Sequence, residues 1–231
     1  MFSYYGSKSK IVKLYDKPVF GKIIEPFAGS ARYSLQYPEN DVELYDAYPV
    51  IVGIWEYLIQ ASEKDILLLP EITVNFCLDE HKELLQAEKD LIGFLIADGQ
   101  AKPSKAVTKK WLSLRPNKIK HRIKNLCALL PKIRHWKVFL SDYLDIQNQK
   151  CTWFIDPPYY QGGHCYPVSN KNLDYIFLSE WCLSRDGQVI VCENSNAFWM
   201  PFEPIARMKG ANKISTECVW TNYSDAQPKL F

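Results

Sequence analysis

Short apolar runs alternate with stretches of helical periodicity along most of this chain. Six runs rich in β-branched and aromatic residues predict strands at residues 22–27, 41–46, 137–142, 151–156, 188–194 and 213–220. Apolar residues at helical spacing predict helices at residues 30–37, 48–62 and 174–184. Strands that are apolar throughout and alternate with helices are typical of a mostly parallel sheet covered on both faces. We therefore expect an α/β fold.

The alternation is interrupted between residues 63 and 136. Leucine and isoleucine residues at near-helical spacing predict a long amphipathic helix over residues 78–99 and a second helix after Pro116. The length of 231 residues fits a single domain that carries such an insertion. We expect residues 1–62 and 137–231 to form the main domain and residues 63–136, here called the insertion, to form a helical addition to it.

Charge is distributed unevenly along the chain. The formal net charge is +2, yet residues 101–140, here called the basic segment, contain twelve Lys or Arg residues and no Asp or Glu. An uneven distribution of this kind favours a nucleic-acid partner over a merely solvated basic surface. Six basic residues are candidates for contacts with phosphate groups: Lys109, Lys110, Arg115, Lys118, Lys120 and Arg122.

Composition argues against several other classes of protein. No apolar run approaches the 18 residues of a membrane span, and the first residues lack the apolar stretch of a signal peptide. Seven cysteines occur without a C-x-x-C pair, and the four histidines lack metal-ligand spacing. We therefore expect a cytoplasmic protein with reduced cysteines, no metal and no membrane partner, and we favour a monomer.

Acidic residues stand at the ends of four predicted strands. Glu25 opens the turn after the first strand, and Asp46, Asp142 and Asp156 each close a strand. In parallel sheets ligands bind beyond the carboxyl ends of the strands. Four acids at that edge indicate a site for a polar ligand that carries hydroxyl and amino groups.

The stretch "EPFAGSA" joins the first strand to the following segment through a turn of small residues around Gly29. Small residues allow the backbone to approach a ligand closely. Asp46 closes the next strand, where its carboxylate can accept hydrogen bonds from both hydroxyls of a ribose. A nucleoside cofactor is favoured over a dinucleotide, because the second and third glycines of G-x-G-x-x-G are missing.

The stretch "WFIDPPYY" ends a buried strand with an acid, two prolines and two tyrosines. Asp156 can accept a hydrogen bond from an amino group, and so can a carbonyl of the Pro157–Pro158 corner, which has no local N–H partner. Tyr159 offers a flat face on which a planar heterocycle can stack. Two acceptors on an exocyclic amine free its lone pair for attack. A base in duplex DNA would have to be flipped out to reach them.

These motifs, in this order, resemble the D12-class, Dam-like N6-adenine DNA methyltransferases. "SYYGSK" resembles the K-W-A-G-G-K segment of that family, "EPFAGSA" its E-P-F-x-G-x-G turn, and "DPPY" its catalytic tetrapeptide. "YDAYPVIVGIWEYL" and "GQVIVCENSN" resemble the segments that follow the turn and the tetrapeptide. The resemblance implies a Rossmann-like methyltransferase sheet, with the insertion as target-recognition region.

The resemblance also implies roles for individual residues. S-adenosyl-L-methionine would be the cofactor and S-adenosyl-L-homocysteine the product, with no metal. The cofactor-binding residues would be Tyr4, Tyr5, Gly6, Lys8, Glu25, Pro26, Phe27, Ala28, Gly29, Ser30, Ala31, Asp46, Ala47, Asp142, Tyr143 and Asp156. The catalytic residues would be Asp156, Pro157, Pro158 and Tyr159. The substrate would be duplex DNA with a flipped adenine, and the protein would be encoded by a bacterium or phage, with a cognate restriction endonuclease as a partner to consider.

Three departures from the family pattern affect what can be carried over. Ala31 replaces the second glycine of the turn, Tyr4 and Ser7 replace a tryptophan and a glycine, and the insertion does not resemble the family's recognition region. Cytosine-N4 methylation, methylation of RNA or of a protein amide, and a non-catalytic nucleic-acid-binding protein on the same scaffold remain open. Residues 160–172 are expected to close over the flipped base or the DNA backbone, or else to form an ordinary surface loop.

Overall fold

Seven strands form one sheet in the computed structural model of this chain, which describes residues 1–115, 117–209 and 214–223. The strands are β1 (Lys22–Glu25), β2 (Asp41–Asp46), β3 (Lys137–Leu140), β4 (Cys151–Ile155), β5 (Gly187–Asn194), β6 (Glu203–Lys209) and β7 (Ile214–Thr221). Pro116 and residue 213, the first residue of the last predicted strand, lie outside the described residues.

The order of the strands is β3-β2-β1-β4-β5-β7-β6. The first five are parallel, and β7 runs antiparallel to both β5 and β6. The direction of winding reverses between β1 and β4, which makes the carboxyl ends of these two strands the topological switch point. This order confirms the expected Rossmann-like methyltransferase sheet.

Six α-helices accompany the sheet in the described part of the chain. They are α1 (Pro49–Gln60), α2 (Glu63–Leu67), α3 (Gln86–Leu95), α4 (Lys109–Leu114), α5 (Lys118–Leu129) and α6 (Tyr175–Leu183). Helix α1 begins with a proline, whose fixed φ suits the first helical position. Helix α6 is capped by Asp174, whose carboxylate accepts hydrogen bonds from the Ile176 and Phe177 amides. Both helices were expected, within one or two residues.

Two expected helices are wrong in extent. The backbone is left-handed at Gly29 and Ala31, with φ of +47° and +43°, so no α-helix starts there and a 3-10 turn at Ser34–Gln36 takes its place. The long helix expected over residues 78–99 is reduced to α3. Its start is fixed by Glu88, whose carboxylate accepts a hydrogen bond from the amide of the extended residue Leu85.

Strand β6 was not expected from the sequence. Pro204 lies within it and cannot donate a hydrogen bond to a neighbouring strand, so the sequence alone argues against a strand here. The strand tolerates the proline because it lies at the edge of the sheet and its register shifts between Pro204 and Ala206.

Apolar side chains cover the sheet on both faces. Trp55 of α1 and Phe94 of α3 belong to the cluster on one face, and Trp153 and Trp181 belong to the cluster on the other. A third cluster consists of insertion residues alone: Phe76, Leu78, Ile92, Ile96 and Val107. The insertion thus has a small core of its own, while Phe94 joins it to the main domain. None of the described helices is long and apolar enough to cross a membrane.

Candidate active site

A pocket lies at the switch point, beyond the carboxyl ends of β1 and β4. Glu25, Asp46, Asp142 and Asp156 all line it, so the four acids meet as expected from their places at strand ends. The other predicted cofactor residues line it too: Tyr4, Tyr5, Gly6, Lys8, Pro26, Phe27, Ala28, Gly29, Ser30, Ala31, Ala47 and Tyr143. Of the tetrapeptide, Asp156 and Pro158 line the pocket, whereas Pro157 is buried and Tyr159 is half-buried beside it.

The turn after β1 is built around Gly29. Its amide donates to Oδ2 of Asp46 at 2.9 Å, and its carbonyl accepts from the Trp55 indole at 2.9 Å. A Cβ at this position would lie 3.1 Å from Cδ1 of Tyr4, and φ is +47°. Glycine is therefore required both by the backbone conformation and by the close approach of Tyr4.

Asp46 faces the pocket with a fixed orientation. Its Oδ1 accepts a second hydrogen bond, from the Tyr48 amide at 2.9 Å. Burial raises the pKa of this carboxyl to about 6, against the two amide hydrogen bonds, which lower it. Each carboxylate oxygen keeps a lone pair for a further donor, which suits the two hydroxyls of a ribose.

The other two acids at strand ends are held by backbone donors. Oε1 of Glu25 accepts the Ser34 amide at 2.9 Å, and burial raises the pKa of this carboxyl to about 8. Glu25 is therefore largely protonated at neutral pH and can donate a hydrogen bond. Oδ1 of Asp142 accepts the Leu144 amide at 3.0 Å and caps a 3-10 turn at Tyr143–Asp145. Asp142 thus combines a turn cap with a place in the pocket wall.

Asp156 forms an ion pair with Lys8 at the tip of β4. The Lys8 ammonium lies 2.9 Å from Oδ1 of Asp156 and 3.6 Å from Oε1 of Glu217. Burial raises the pKa of Asp156 to about 6, while Lys8 acts in the opposite direction. Burial alone would lower the pKa of Lys8, but the charges of Asp156 and Glu217 outweigh it and raise the pKa. Lys8 therefore stays charged.

Glu217 of β7 is a member of this site that the sequence-based interpretation missed. Its carboxylate accepts hydrogen bonds from the hydroxyls of Tyr15, at 2.7 Å, and Tyr159. The Lys8 ammonium also lies 4.4 Å from the centroid of the Tyr159 ring. The ring of Tyr159 is thereby held between a buried carboxylate and a buried cation. An acid inside a strand as apolar as "ECVW" is the sequence signal that could have indicated this position.

The proline corner presents one carbonyl without a donor. The Tyr175 hydroxyl donates to the carbonyl of Pro158. Over the described residues, no hydrogen bond reaches the carbonyl of Pro157. The carbonyl of Pro157, the residue after Asp156, is thus an acceptor without a described donor, although Pro157 itself is buried and does not line the pocket.

Tyr160 connects the tetrapeptide to an aromatic surface. Its amide donates to the buried carboxylate of Glu193 at 2.9 Å, which also accepts the Trp199 indole at 3.1 Å. Its ring packs edge-on against Tyr175 and against Phe198, with centroids 5.3 and 5.1 Å away. Phe198 is 71% exposed. An exposed aromatic pair next to the tetrapeptide suits stacking against a planar group.

The loop at residues 160–172 packs over the amino-terminal segment. The Tyr166 hydroxyl donates to the carbonyl of Tyr5 at 3.3 Å, and its ring lies 5.8 Å from that of Tyr4 and 5.2 Å from that of Tyr5. Val168 and Ser169 line the pocket as well. The loop therefore forms one wall of the pocket that also contains the predicted cofactor residues.

The amino-terminal segment also contacts the insertion. The Tyr5 amide donates to the carbonyl of Gln100 at 3.1 Å, and the Gly99 amide donates to Oγ of Ser3 at 3.0 Å. The two residues that precede the basic segment are thus joined by hydrogen bonds to the amino-terminal segment, of which Tyr5 lines the pocket.

The six candidate phosphate contacts fall into two groups. Lys109, Lys110 and Lys120 are exposed and form no ion pair with a described acid. The other three form ion pairs with the carboxylate of Asp98. The distances are 3.1 Å from Arg115 Nε, 2.5 Å from Lys118 Nζ and 2.7 Å from Arg122 Nη2. Burial opposes the ionisation of Asp98, but the cations outweigh it and lower its pKa.

Arg122 is an internal residue of the insertion. Only 8% of it is exposed, and its guanidinium also donates to the carbonyls of Leu95 and Ala97. A guanidinium committed to buried acceptors is not free to contact a phosphate, so Arg122 serves to join α5 to the end of α3. Arg115 and Lys118 keep partial exposure and can still face a phosphate.

No described group of three His, Cys, Asp or Glu side chains is arranged to bind a metal ion. The pocket lining includes Arg32, which the sequence-based interpretation also left out. Its position three residues after Gly29, in the turn that approaches the ligand, could have indicated it.

Similarity to known proteins is found among solved structures. No protein-family model and no curated protein matches the chain. It is similar to a conserved hypothetical protein from Streptococcus pyogenes at 10% identity and a TM-score of 0.35, over 87% of this chain and 86% of that chain. It is also similar to a presumed methyltransferase, yhhF, from Escherichia coli at 12% identity and a TM-score of 0.35, over 92% and 78%. The assignment of a Rossmann-like methyltransferase fold therefore rests on the strand order and the antiparallel β7.

Proposed function

We propose that this protein is a DNA methyltransferase that transfers a methyl group from S-adenosyl-L-methionine to the N6 amine of a flipped-out adenine. The observation that carries the proposal is the meeting of Asp156 and Asp46 in one pocket at the switch point of a methyltransferase sheet. Asp46 suits a nucleoside and Asp156 suits an amine, so one pocket would hold both reactants.

The residues of the pocket fit the cofactor. The turn at Gly29 leaves a space that a Cβ would fill, and Asp46 presents acceptors for two hydroxyl groups. Tyr4 and Phe27 add aromatic surface for a purine ring. When bound, S-adenosyl-L-methionine supplies an electrophilic methyl group, and the remaining chemistry belongs to the protein.

Asp156 and the Pro157 carbonyl would accept the two hydrogens of the target amine. An aromatic amine is a weak nucleophile because its lone pair is conjugated with the ring. Acceptors fixed on both hydrogens favour a pyramidal nitrogen and direct the lone pair out of conjugation, which is catalysis by positioning and electrostatics. Asp156, with a pKa of about 6, is largely ionised at neutral pH and is the carboxylate placed to take the proton that the nitrogen must lose.

Two surfaces support nucleic acid as the substrate. Lys109, Lys110 and Lys120 are exposed cations for phosphate groups, and the insertion that carries them is bonded to the pocket wall. Tyr160 and Phe198 offer aromatic faces next to the tetrapeptide. The D-P-P-Y form of the tetrapeptide favours adenine N6 over cytosine N4.

Transfer of label tests the proposal. The purified protein is incubated with S-adenosyl-L-methionine labelled in the methyl group and, separately, with duplex DNA, RNA and a protein extract. We expect label in DNA from the wild type and none from Asp156→Ala. Label in RNA or protein alone would contradict the choice of substrate. DNA binding without label on any acceptor would favour a non-catalytic binding protein.

A further inference from the structure

Two cationic side chains line the pocket among its described residues, and they differ in their partners. Lys8 is paired with Asp156 and Glu217. Arg32 donates through Nε to Oγ of Ser7 at 3.0 Å and through Nη2 to the carbonyl of Phe2 at 2.8 Å. Both acceptors of Arg32 are neutral, and no described carboxylate forms an ion pair with it. The charge of Arg32 is therefore unbalanced in a pocket that is otherwise rich in acids.

A guanidinium without a counter-ion in the pocket lining favours the binding of an anion there. Burial and the nearby Arg122 lower the pKa of Arg32 to about 10, so it is still charged at neutral pH. Arg32 is half-buried. The partial withdrawal of its charge from water without a counter-ion has a free-energy cost, which a bound anion would lower.

Ser7 lies beside Arg32 in the pocket lining. Its Oγ lies 3.2 Å from that of Ser30 and accepts a hydrogen bond from Arg32 Nε. Either hydroxyl can donate in the Ser7–Ser30 pair, and in both cases one hydroxyl hydrogen of the pair has no described acceptor. A guanidinium and a hydroxyl that line the same pocket and are hydrogen-bonded to each other can bind a carboxylate together.

We propose that Arg32 and Ser7 bind the carboxylate at the amino-acid end of the nucleoside cofactor. The inference rests on the proposed function, because it takes the pocket as the site of S-adenosyl-L-methionine, and it adds which residues hold the anionic group. The similar family has glycine at the position of Ser7. In this chain Ser7 and Arg32, which follows the turn, would bind the carboxylate together.

Arg32 could instead serve only to hold the amino-terminal segment through Phe2 and Ser7. A purely structural role would affect all ligands of the pocket alike, whereas a carboxylate contact affects only ligands that carry a carboxylate. The comparison of S-adenosyl-L-methionine with its decarboxylated form separates the two roles, since the compounds differ in that one group.

Titration calorimetry with both compounds tests the inference. The wild type should bind S-adenosyl-L-methionine roughly 10- to 100-fold more tightly than the decarboxylated form, the range expected of a charged hydrogen-bonded pair. In Arg32→Met this preference should disappear, and in Ser7→Gly it should shrink. Arg134→Met is the matched control, because Arg134 also binds two backbone carbonyls, those of Ile59 and Ala61, but lies outside the pocket lining. It should leave the preference unchanged.

The outcomes distinguish this inference from the proposed function. If the wild type binds both compounds and Arg32→Met keeps the wild-type preference or weakens both equally, the inference is wrong and the proposed function stands. If the wild type binds neither compound, both are wrong. Should Arg32→Met fail to fold, Arg32→Lys keeps the charge without the planar fork and must show a reduced preference.

Discussion

The Lys8 ammonium lies 2.9 Å from Oδ1 of Asp156, and both groups are largely withdrawn from solvent. The ammonium also lies above the Tyr159 ring, so one lysine contacts the acid and the aromatic ring of the tetrapeptide. Its charge favours the ionised form of Asp156 against the effect of burial. Lys8 therefore keeps Asp156 able to accept a hydrogen bond near neutral pH.

Replacing Lys8 should shift the pH dependence of the reaction. Asp156 must be ionised to accept a hydrogen bond from the target amine. The kcat/KM of the wild type should therefore fall as the pH drops through about 6. Lys8→Met removes the cation, which raises the pKa of Asp156 and should move this acid limb upward by about 1 pH unit or more. Lys10→Met, an exposed lysine of the same segment, should leave the profile unchanged. An acid limb that stays in place in Lys8→Met would contradict the role assigned to this ion pair.

Two glycine substitutions should change stability in opposite directions. Gly29→Ala puts a Cβ 3.1 Å from Tyr4 at a φ of +47°, so the free energy of unfolding should fall by about 1–2 kcal/mol and cofactor binding should weaken. Gly53→Ala lies within α1, where a Cβ meets nothing within 4 Å, and should raise the free energy by about 0.5–1 kcal/mol. Urea unfolding measures both. Equal effects would show that the turn does not need its glycine.

Neutralising the exposed lysines of the insertion should weaken DNA binding in a salt-dependent way. A triple variant with glutamine at Lys109, Lys110 and Lys120 should lower the magnitude of the slope of log K against log salt by about 2–3. A control variant with glutamine at Lys13, Lys17 and Lys150 removes the same charge outside the insertion. It should keep the wild-type slope. Similar slopes for the two variants would locate the DNA surface elsewhere.

Arg122 should matter for stability instead. Arg122→Met leaves the carbonyls at the end of α3 without their donor and weakens the hold on Asp98, so the free energy of unfolding should fall by about 2–3 kcal/mol. Lys124→Met, an exposed residue of the same helix, should change it by less than about 0.5 kcal/mol. If Arg122→Met were as stable as the wild type and weakened DNA binding, Arg122 would be a phosphate contact after all.

The sheet and the pocket edge were predictable because their signals are local. Each parallel strand is a short apolar run, and acids at the strand ends must meet wherever such strands lie side by side. The positions of Asp46 and Asp156 at strand ends were therefore enough to predict that both lie at the pocket. The turn at Gly29 was predicted, but the left-handed backbone at Ala31 was not, because alanine rarely adopts it.

The remaining features depend on contacts between distant parts of the chain. Glu217 lies 202 residues from Tyr15, whose hydroxyl it accepts, and no local pattern joins them. Arg122 matches its exposed neighbours in the sequence, and its burial follows from how α5 packs against the end of α3. Strand β6 contains a proline that only an edge position tolerates.

The identity of the methylated nucleoside tests the central claim most directly. Duplex DNA is methylated by the protein with S-adenosyl-L-methionine, digested to nucleosides and measured by mass spectrometry against authentic standards. We predict N6-methyladenine from the wild type and from Lys10→Met, and none from Asp156→Ala. N4-methylcytosine in place of N6-methyladenine, or the same yield of N6-methyladenine from Asp156→Ala, would contradict the account.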